Sequence, residues 1–292
     1  MVRLAGSESV GRVGALAAPW LPLVLALEGL RILLETSATR ALYGDAARNI
    51  PRALLLRAHL VGYAMTIALP AGRTMAEGYK AAALVSRTSP ALSAAVATAN
   101  QSLALFAVAA LALPCALASY LNTGFSALTM ATLVHLAMVG STGTAMQLAS
   151  RNARLSAFFS RISPSFAAKA KTYREACNVH GFLPLRPFAF HVASRAIQVA
   201  GLGLLLYTVS THLRLGEMLM GQSLTFVGGA AGDLIPFQLG ATDGAWALGA
   251  PRLHLSVADA VGVALLAHGV QVAWSAVGAL VPVLWRAAPP AR

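Results

Sequence analysis

The sequence predicts an all-α polytopic membrane protein with about five full spans and two re-entrant hairpins, each a helix that enters the membrane, breaks and returns. Three observations predict this fold. The 292 residues are 57% hydrophobic and only 11% charged, whereas soluble domains contain about 25% charged residues. Several apolar runs are long enough to cross a bilayer. Two shorter apolar runs each end at a proline and lead into a helix too polar to face lipid.

The basic residues are concentrated between the apolar runs. The net charge of +12 would suggest nucleic acid in a soluble protein, but here it follows the positive-inside rule, so no nucleic-acid partner is expected. The largest basic cluster is the loop 150–187, which is therefore predicted to be cytoplasmic. Its basic residues are Arg151, Arg154, Arg161, Lys169, Lys171, Arg174 and Arg186.

The cysteines and histidines indicate no metal site. Cys115 and Cys177 are too few for a disulfide framework, and the seven histidines fall at no ligand spacing. No cofactor is expected. Residues 1–12 are polar and mixed in charge, so they do not resemble a cleavable signal peptide, and the first span is expected to be retained.

The first span is predicted at 13–34. Glu28, Arg31 and Glu35 lie at helical spacing near its end, where they are expected to pair with one another at the headgroups, with a polar protein interior as the alternative. A loop is predicted at 36–52.

The remaining chain divides into two halves of a single membrane domain covering 1–292. In the first half, 36–149, a re-entrant hairpin near 54–87 precedes spans at 91–118 and 125–149, which are joined by a turn at 122–124.

The second half, 188–286, follows the cytoplasmic loop. It contains a span at 188–209, a second re-entrant hairpin near 217–250 and a last span at 257–284. Trp285 and Arg286 then form an interfacial anchor.

The two hairpins share a spacing. Glu77 follows Pro70 by the same seven residues that separate Asp243 from Pro236. One explanation is N-terminal capping of two ordinary helices, because carboxylates are favourable in a first helical turn. The other is an inverted repeat whose broken helices enter from opposite sides, as in secondary transporters. Re-entrance places almost every basic loop in the cytoplasm and is the favoured topology.

The hairpin motifs resemble those of a known family. Residues 236–245, PFQLGATDGA, are similar to the Pro-Gly-Gly-Leu-Gly-x-x-Glu-Gly/Ala signature of the flippase-like transmembrane domain of lysylphosphatidylglycerol synthases and of related stand-alone bacterial proteins. Residues 62–80 look like that family's other motif, a proline, arginine, glycine and glutamate stretch after a helix containing glycine and tyrosine. The match in element order covers roughly residues 20–285.

The resemblance implies a bacterial inner-membrane protein that moves lipid between leaflets. The cargo would be an anionic or aminoacylated phospholipid, or a hopanoid-type lipid, and lipid-synthesis enzymes would be possible partners. It implies no aminoacyl-transfer activity, because the family's soluble aminoacyltransferase domain does not follow in this sequence, and the protein is not expected to be an enzyme.

The resemblance and the polarity of the hairpins together define a candidate substrate site. Arg73 is predicted to hold a lipid phosphate, and Glu77 and Asp243 to bind a cationic headgroup or a coupling proton. The supporting polar residues are predicted to be Asp233, Gln238, Asn100 and Gln101. The predicted hinge residues are Pro70, Pro236, Gly232 and Gly240.

Several residues depart from the family's pattern. Asn100 and Gln101 stand where relatives commonly carry Glu-Arg, and His268 stands where an arginine is common in the last helix. Phe237-Gln238 replaces the double glycine. These changes remove charges that could contact a headgroup.

Two other functions remain open at this stage. One is an intramembrane enzyme acting on lipid, with Asp233, Asp243 and Glu77 as acid/base or metal groups. The other is a non-transporting partner of lipid-biosynthetic enzymes, which the lost charges would favour. His191 and Arg195, one turn apart, are expected to snorkel to the cytoplasmic interface rather than line a path.

Overall fold

The chain is helical throughout the part that the structure, a computed structural model, describes: residues 7–154, 157, 164–179, 181–210, 213–238 and 240–285. No strand occurs among these residues. The helices are α1 (Ser7–Ala17), α2 (Leu21–Tyr43), α3 (Arg52–Ala68), α4 (Gly72–Leu84), α5 (Pro90–Thr123), α6 (Ala127–Arg151), α7 (Pro164–Asn178), α8 (Leu185–Tyr207), α9 (Leu215–Gly232), α10 (Ala241–Gly249) and α11 (Val257–Leu284).

Helices of membrane-spanning length confirm the membrane class. By length and hydropathy, α5, α8 and α11 can each cross a bilayer, and the bent pair Gly11–Ala17 with Leu21–Asn49 could form a fourth span. The helix α6, predicted as a span at 125–149, is not in this set although it has 25 residues. The described helices thus give three or four spans, and the count of about five stays a prediction.

The predicted first span at 13–34 is not one straight helix but part of a longer, bent pair of helices. The axes of its two parts differ by 75°, because Pro19 and Pro22 interrupt the helix between α1 and α2. The second part also runs on to Tyr43, through the first eight residues of the predicted loop at 36–52. Hydroxyl groups of Thr36 and Ser37 donate to carbonyls four residues earlier, and Leu42 and Tyr43 are buried, which stabilises the extra turns.

Both predicted helix breaks are present. The first lies between α3 and α4, where Pro70 is exposed and Ala71 has φ = 51°. The second follows α9, where Phe237 and Gln238 have φ values of 58° and 53° and Gly240 has φ = 85°. Such left-handed positions turn the chain back on itself.

Each broken pair forms a tight hairpin at a glycine. A Cβ added to Gly72 would lie 2.2 Å from the Met65 carbonyl oxygen, and one added to Gly228 would lie 2.5 Å from the Thr242 Cα. Gly232 likewise lets the second turn approach its own helix, because Gln238 and Ala241 would lie 3.0–3.1 Å from its Cβ. The chain therefore needs glycine at these positions for the two arms of each hairpin to pack.

The packing repeats between two four-helix units, α2–α5 and α8–α11. Within each unit the second broken helix packs on the following long helix, α4 on α5 and α10 on α11. Between units, α3 packs on α11 as α9 packs on α5, and α2 packs on α8. Every main contact made by one unit thus has a counterpart in the other.

The central pair, α2 and α8, runs antiparallel. Glu35 contacts Ser194, whereas Val24, three turns earlier, lies near Gly201, which is further along α8. Both helices have 23 residues, and Arg31 and Arg195 occupy the same position in them. The two units therefore cross in an antiparallel arrangement, with an arginine at the same helix position in each.

Three helices lie outside the repeat. The helix α1 packs on α11, and α6 packs on α5 and α9. Within the predicted basic loop 150–187, α7 packs on α5 and α6, so this segment is partly helical rather than a plain loop. Its residue Arg161 lies outside the described residues, as do Leu239 and Arg286.

Candidate functional site

The tips of the two hairpins touch each other. The backbone N–H of Ala71, in the first break, donates to the backbone carbonyl of Asp233, at the end of α9, over 3.3 Å. The tip residues Pro70, Asp233 and Pro236 are exposed. Two helix breaks whose contacting residues are 162 positions apart in sequence therefore share one place in the fold.

A buried polar cluster, here called the central network, is built from side chains of five helices. Its members come from α2, α3, α4, α5 and α8. They are Glu28, Arg31, Glu35, Thr39, His59, Tyr63, Glu77, Lys80, Asn100, His191, Ser194 and Arg195.

Glu35 is the shared acceptor of the two units. Arg31 Nη1 approaches its Oε1 at 3.2 Å, and Arg195 Nη2 approaches the same atom at 3.1 Å. Ser194 donates to that oxygen as well, at 3.1 Å. Arg31 has a second carboxylate, Glu28, at 2.6 Å, and Glu28 also accepts from Tyr63.

Asn100 joins four helices at the other end of the network. Its Nδ2 donates to Glu77 Oε1 at 2.9 Å, and its Oδ1 accepts from Thr39 at 3.0 Å and from His191 Nε2 at 3.1 Å. Since the carboxylate faces one side of the amide and two donors face the other, the amide has a single satisfactory orientation. Lys80 completes the site by donating to Glu77 at 2.5 Å.

The central network is balanced in charge. Its three carboxylates are matched by three cations. Buried charges are tolerated when they are paired and hydrogen-bonded, so this cluster can exist inside an apolar helix bundle. Its charged pairs are Glu28 with Arg31, Glu35 with Arg195 and Glu77 with Lys80.

Asp243 forms a separate polar site in the second unit. It is 2% exposed; its Oδ2 accepts from the Gly240 backbone N–H at 3.1 Å, and its Oδ1 lies 3.5 Å from His268 Nδ1. Neither Oδ1 nor Nδ1 has a hydrogen-bond partner among the described residues. Glu77 and Asp243 therefore have no partner in common here.

Arg73 lies between the tips and the central network. It is half-buried in the first turn of α4, two residues after Ala71 and four before Glu77. It has no salt bridge to a carboxylate in the part of the chain that the structure describes. His135 stacks on Phe226 with ring centroids 5.2 Å apart, and its Nε2 is buried without a described partner.

The sequence-predicted residues thus do not form a single site, and Arg73 and Gln101 join none of the three groups that the others form. Asn100 and Glu77 meet in the central network. Asp233 and Gln238 meet at the tip, where Gln238 Nε2 donates to the Asp233 carboxylate at 3.4 Å. Asp243 pairs with His268, and Gln101 is half-buried with an Oε1 that has no described partner.

Several network residues were misjudged from the sequence. Glu28, Arg31 and Glu35 do pair with one another, but in the protein interior rather than at the headgroups. His191 and Arg195 are 1% and 7% exposed and hydrogen-bond inside the bundle, so the snorkelling prediction was wrong. The equal positions of Arg31 and Arg195 become visible only with the observed bounds of α2 and α8, so the sequence carried no signal that located their partners.

Comparisons with known proteins agree with the motif resemblance. The sequence matches the model of one family, described as the lysylphosphatidylglycerol synthase TM region, over residues 2–278. No curated protein and no solved structure matched. The family links the chain to the membrane side of lipid metabolism or transport. Because this match covers nearly the whole sequence, the chain belongs to the family of the lysylphosphatidylglycerol synthase transmembrane region.

Proposed function

We propose that this protein moves a polar lipid, most simply an anionic or aminoacylated phospholipid, between the leaflets of the bacterial inner membrane. One observation carries the proposal: two helix breaks from a repeated pair of hairpins meet tip to tip beside a half-buried arginine and a buried polar network. A charged headgroup cannot cross about 30 Å of hydrocarbon unassisted. A polar path through the bundle lowers that barrier.

The repeated packing supports re-entrance of both hairpins from opposite sides. Antiparallel packing of α2 and α8 would invert one unit relative to the other in the membrane. Hairpins of inverted units would enter from opposite faces and meet near the midplane, and the contact between Ala71 and Asp233 is consistent with such a meeting. The basic loop 150–187 would then lie in the cytoplasm.

Arg73 is the residue proposed to bind the lipid phosphate. Arginine binds phosphate through paired charge-assisted hydrogen bonds, and a helix N-terminus adds a favourable dipole. Arg73 has both features and no described carboxylate to compete for it. Gln238, Asn100 and Gln101 would supply neutral hydrogen bonds along the path.

The closed packing of the network favours one rival function, a non-transporting partner of lipid-synthesis enzymes. Both central arginines bind Glu35, and Asn100 is held by Glu77, Thr39 and His191, so transport requires the tips to separate and the network to rearrange. A scaffold would need neither movement.

Leaflet exchange of a headgroup-labelled phosphatidylglycerol in proteoliposomes tests the proposal. The unmodified protein should expose inner-leaflet label to an external quencher, Arg73→Gln should abolish this, and Arg87→Gln, which changes an exposed arginine just after α4, should not. No exchange by the unmodified protein would contradict transport. Chemical conversion of the lipid, detected by mass spectrometry, would instead indicate the enzyme.

A further inference from the structure

The two repeated acids, Glu77 and Asp243, have corresponding surroundings. Each stands seven residues after the hairpin proline and faces a polar side chain on the next long helix, Asn100 for Glu77 and His268 for Asp243. The glycine eight residues before each proline packs beside the residue that precedes the acid. A difference between the two acids is therefore informative.

The difference lies three residues after each acid. Lys80 neutralises Glu77 at 2.5 Å, but the corresponding residue in the second unit is Trp246, whose indole N–H donates to Thr225 instead. Asp243 has no lysine or arginine partner among the residues that the structure describes. Its only described counter-charge is His268, which is charged only when it carries an extra proton.

Other charged groups on the neighbouring helices are engaged elsewhere. On α9, Glu217 accepts from the Arg214 backbone, and Arg12 of α1 pairs with Asp259 of α11. Those on α2, α3 and α8 that lie in the central network pair there. The other charged residues on these helices and in the segment after α10 form no salt bridge with Asp243; they are Arg40, Arg52, Arg57, Arg186, Arg252 and His254.

A buried carboxylate beside a neutral imidazole would leave one uncompensated charge, which is strongly unfavourable in an apolar interior. Adding one proton removes that charge, either as a carboxylate with an imidazolium or as a carboxylic acid with a neutral ring. The observed packing therefore favours one proton on the Asp243–His268 pair. Glu77 needs no proton because the ammonium group of Lys80 is beside it.

We propose that the Asp243–His268 pair binds the proton that couples to lipid movement, and that Glu77 takes no part in proton exchange. This assignment rests on the proposed function and narrows it. Opening of the second hairpin would move α10 away from α11, separate the two side chains and release the proton to the open side.

Proton binding can be measured without any transport assay. Protein labelled with ¹⁵N-histidine, in nanodiscs, should show a His268 signal, identified by its loss in His268→Gln, that titrates between pH 4 and 9. Asp243→Asn should lower its midpoint by about one to three pH units, because an adjacent anion favours the imidazolium. Glu77→Gln should leave the midpoint unchanged. A midpoint unaffected by Asp243→Asn, or a signal that never titrates, would overturn the proposal.

Transport supplies the second arm. Lipid exchange by the unmodified protein should respond to a pH gradient, and His268→Gln should lose that response, whereas His254→Asn, at an exposed left-handed position, should keep it. Exchange that responds to the gradient equally in His268→Gln overturns only the proton site. Absence of exchange in the unmodified protein contradicts the proposed function, and coupling with it.

Discussion

Arg31 and Arg195 occupy the same position in two antiparallel 23-residue helices, and both bind the same oxygen of Glu35, at 3.2 and 3.1 Å. The two units are thus joined at the crossing of α2 and α8 through the carboxylate of Glu35, which belongs to the first unit. Arg31 has Glu28 as a second partner, whereas Arg195 has no other described carboxylate. Because Arg195 has Glu35 as its described carboxylate partner and Arg31 has two, the packing of α2 on α8 should depend on Glu35.

Replacing Glu35 with glutamine should therefore destabilise the fold. Removing one partner of a buried pair leaves an uncompensated charge, here on Arg195, and costs about 3–5 kcal/mol. An SDS-unfolding titration in mixed micelles would measure the loss. Glu175→Gln breaks the exposed pair with Lys171 and should cost less than about 1 kcal/mol. Equal losses in the two variants would show that the central network does not hold the units together.

Two glycines of α4 should respond in opposite ways to alanine. In Gly72→Ala the new methyl group would lie 2.2 Å from the Met65 carbonyl oxygen, so the hairpin must open, at a cost of about 1–3 kcal/mol or more. Gly78 has no atom within 4 Å of its added Cβ, and Gly78→Ala should stabilise the helix by about 0.5–1 kcal/mol. The same titration would measure both. A Gly72→Ala variant as stable as Gly78→Ala would rule out the tight hairpin.

Tyr173 should stabilise the packing of α7 on α5, and this stabilisation should depend on pH. Its hydroxyl group lies 2.9 Å from Thr98 Oγ1, and burial raises the pKa of Tyr173 to about 12, with the Thr98 hydrogen bond acting in the opposite direction. Because the folded pKa exceeds the unfolded value of about 10, the stabilisation is complete below pH 10 and declines as the pH rises toward 12. The stability difference between the unmodified protein and Tyr173→Phe should shrink across that interval. A constant difference would mean that the buried phenol has an ordinary pKa.

Much of the fold was predictable because its signals are local. Proline and glycine fix both helix breaks, and the last span was placed at 257–284, the bounds of α11. The bend between α1 and α2 was missed although Pro19 and Pro22 signal it, because the apolar run continues through them. The extension of α2 to Tyr43 depends on burial against other helices, which no local pattern shows.

The candidate site was predicted in part for the same reason. Glu77, Asn100 and Asp243 are polar residues in or next to the hairpins, so the sequence picks them out. Their partners Arg195, His191 and His268 lie on distant helices, and one charge in an apolar helix is equally consistent with snorkelling. Only the fold shows that Arg195 meets Glu35, 160 residues earlier.

The hairpin tips touch at Ala71 and Asp233 and should have to separate during lipid exchange. A reversible cross-link between the tips tests both points. With Cys115 and Cys177 replaced by alanine, Ala71→Cys and Asp233→Cys would place two thiols at the tip contact, where the two backbones are 3.3 Å apart. A second pair, Ala71→Cys with Leu234→Cys, keeps the Asp233 carboxylate. Leaflet exchange would be measured in proteoliposomes before and after oxidation. Oxidation should form the disulfide and stop lipid exchange, and reduction of the disulfide should restore lipid exchange. Failure of the pairs to cross-link, or exchange at the same rate with the tips joined, would contradict this expectation.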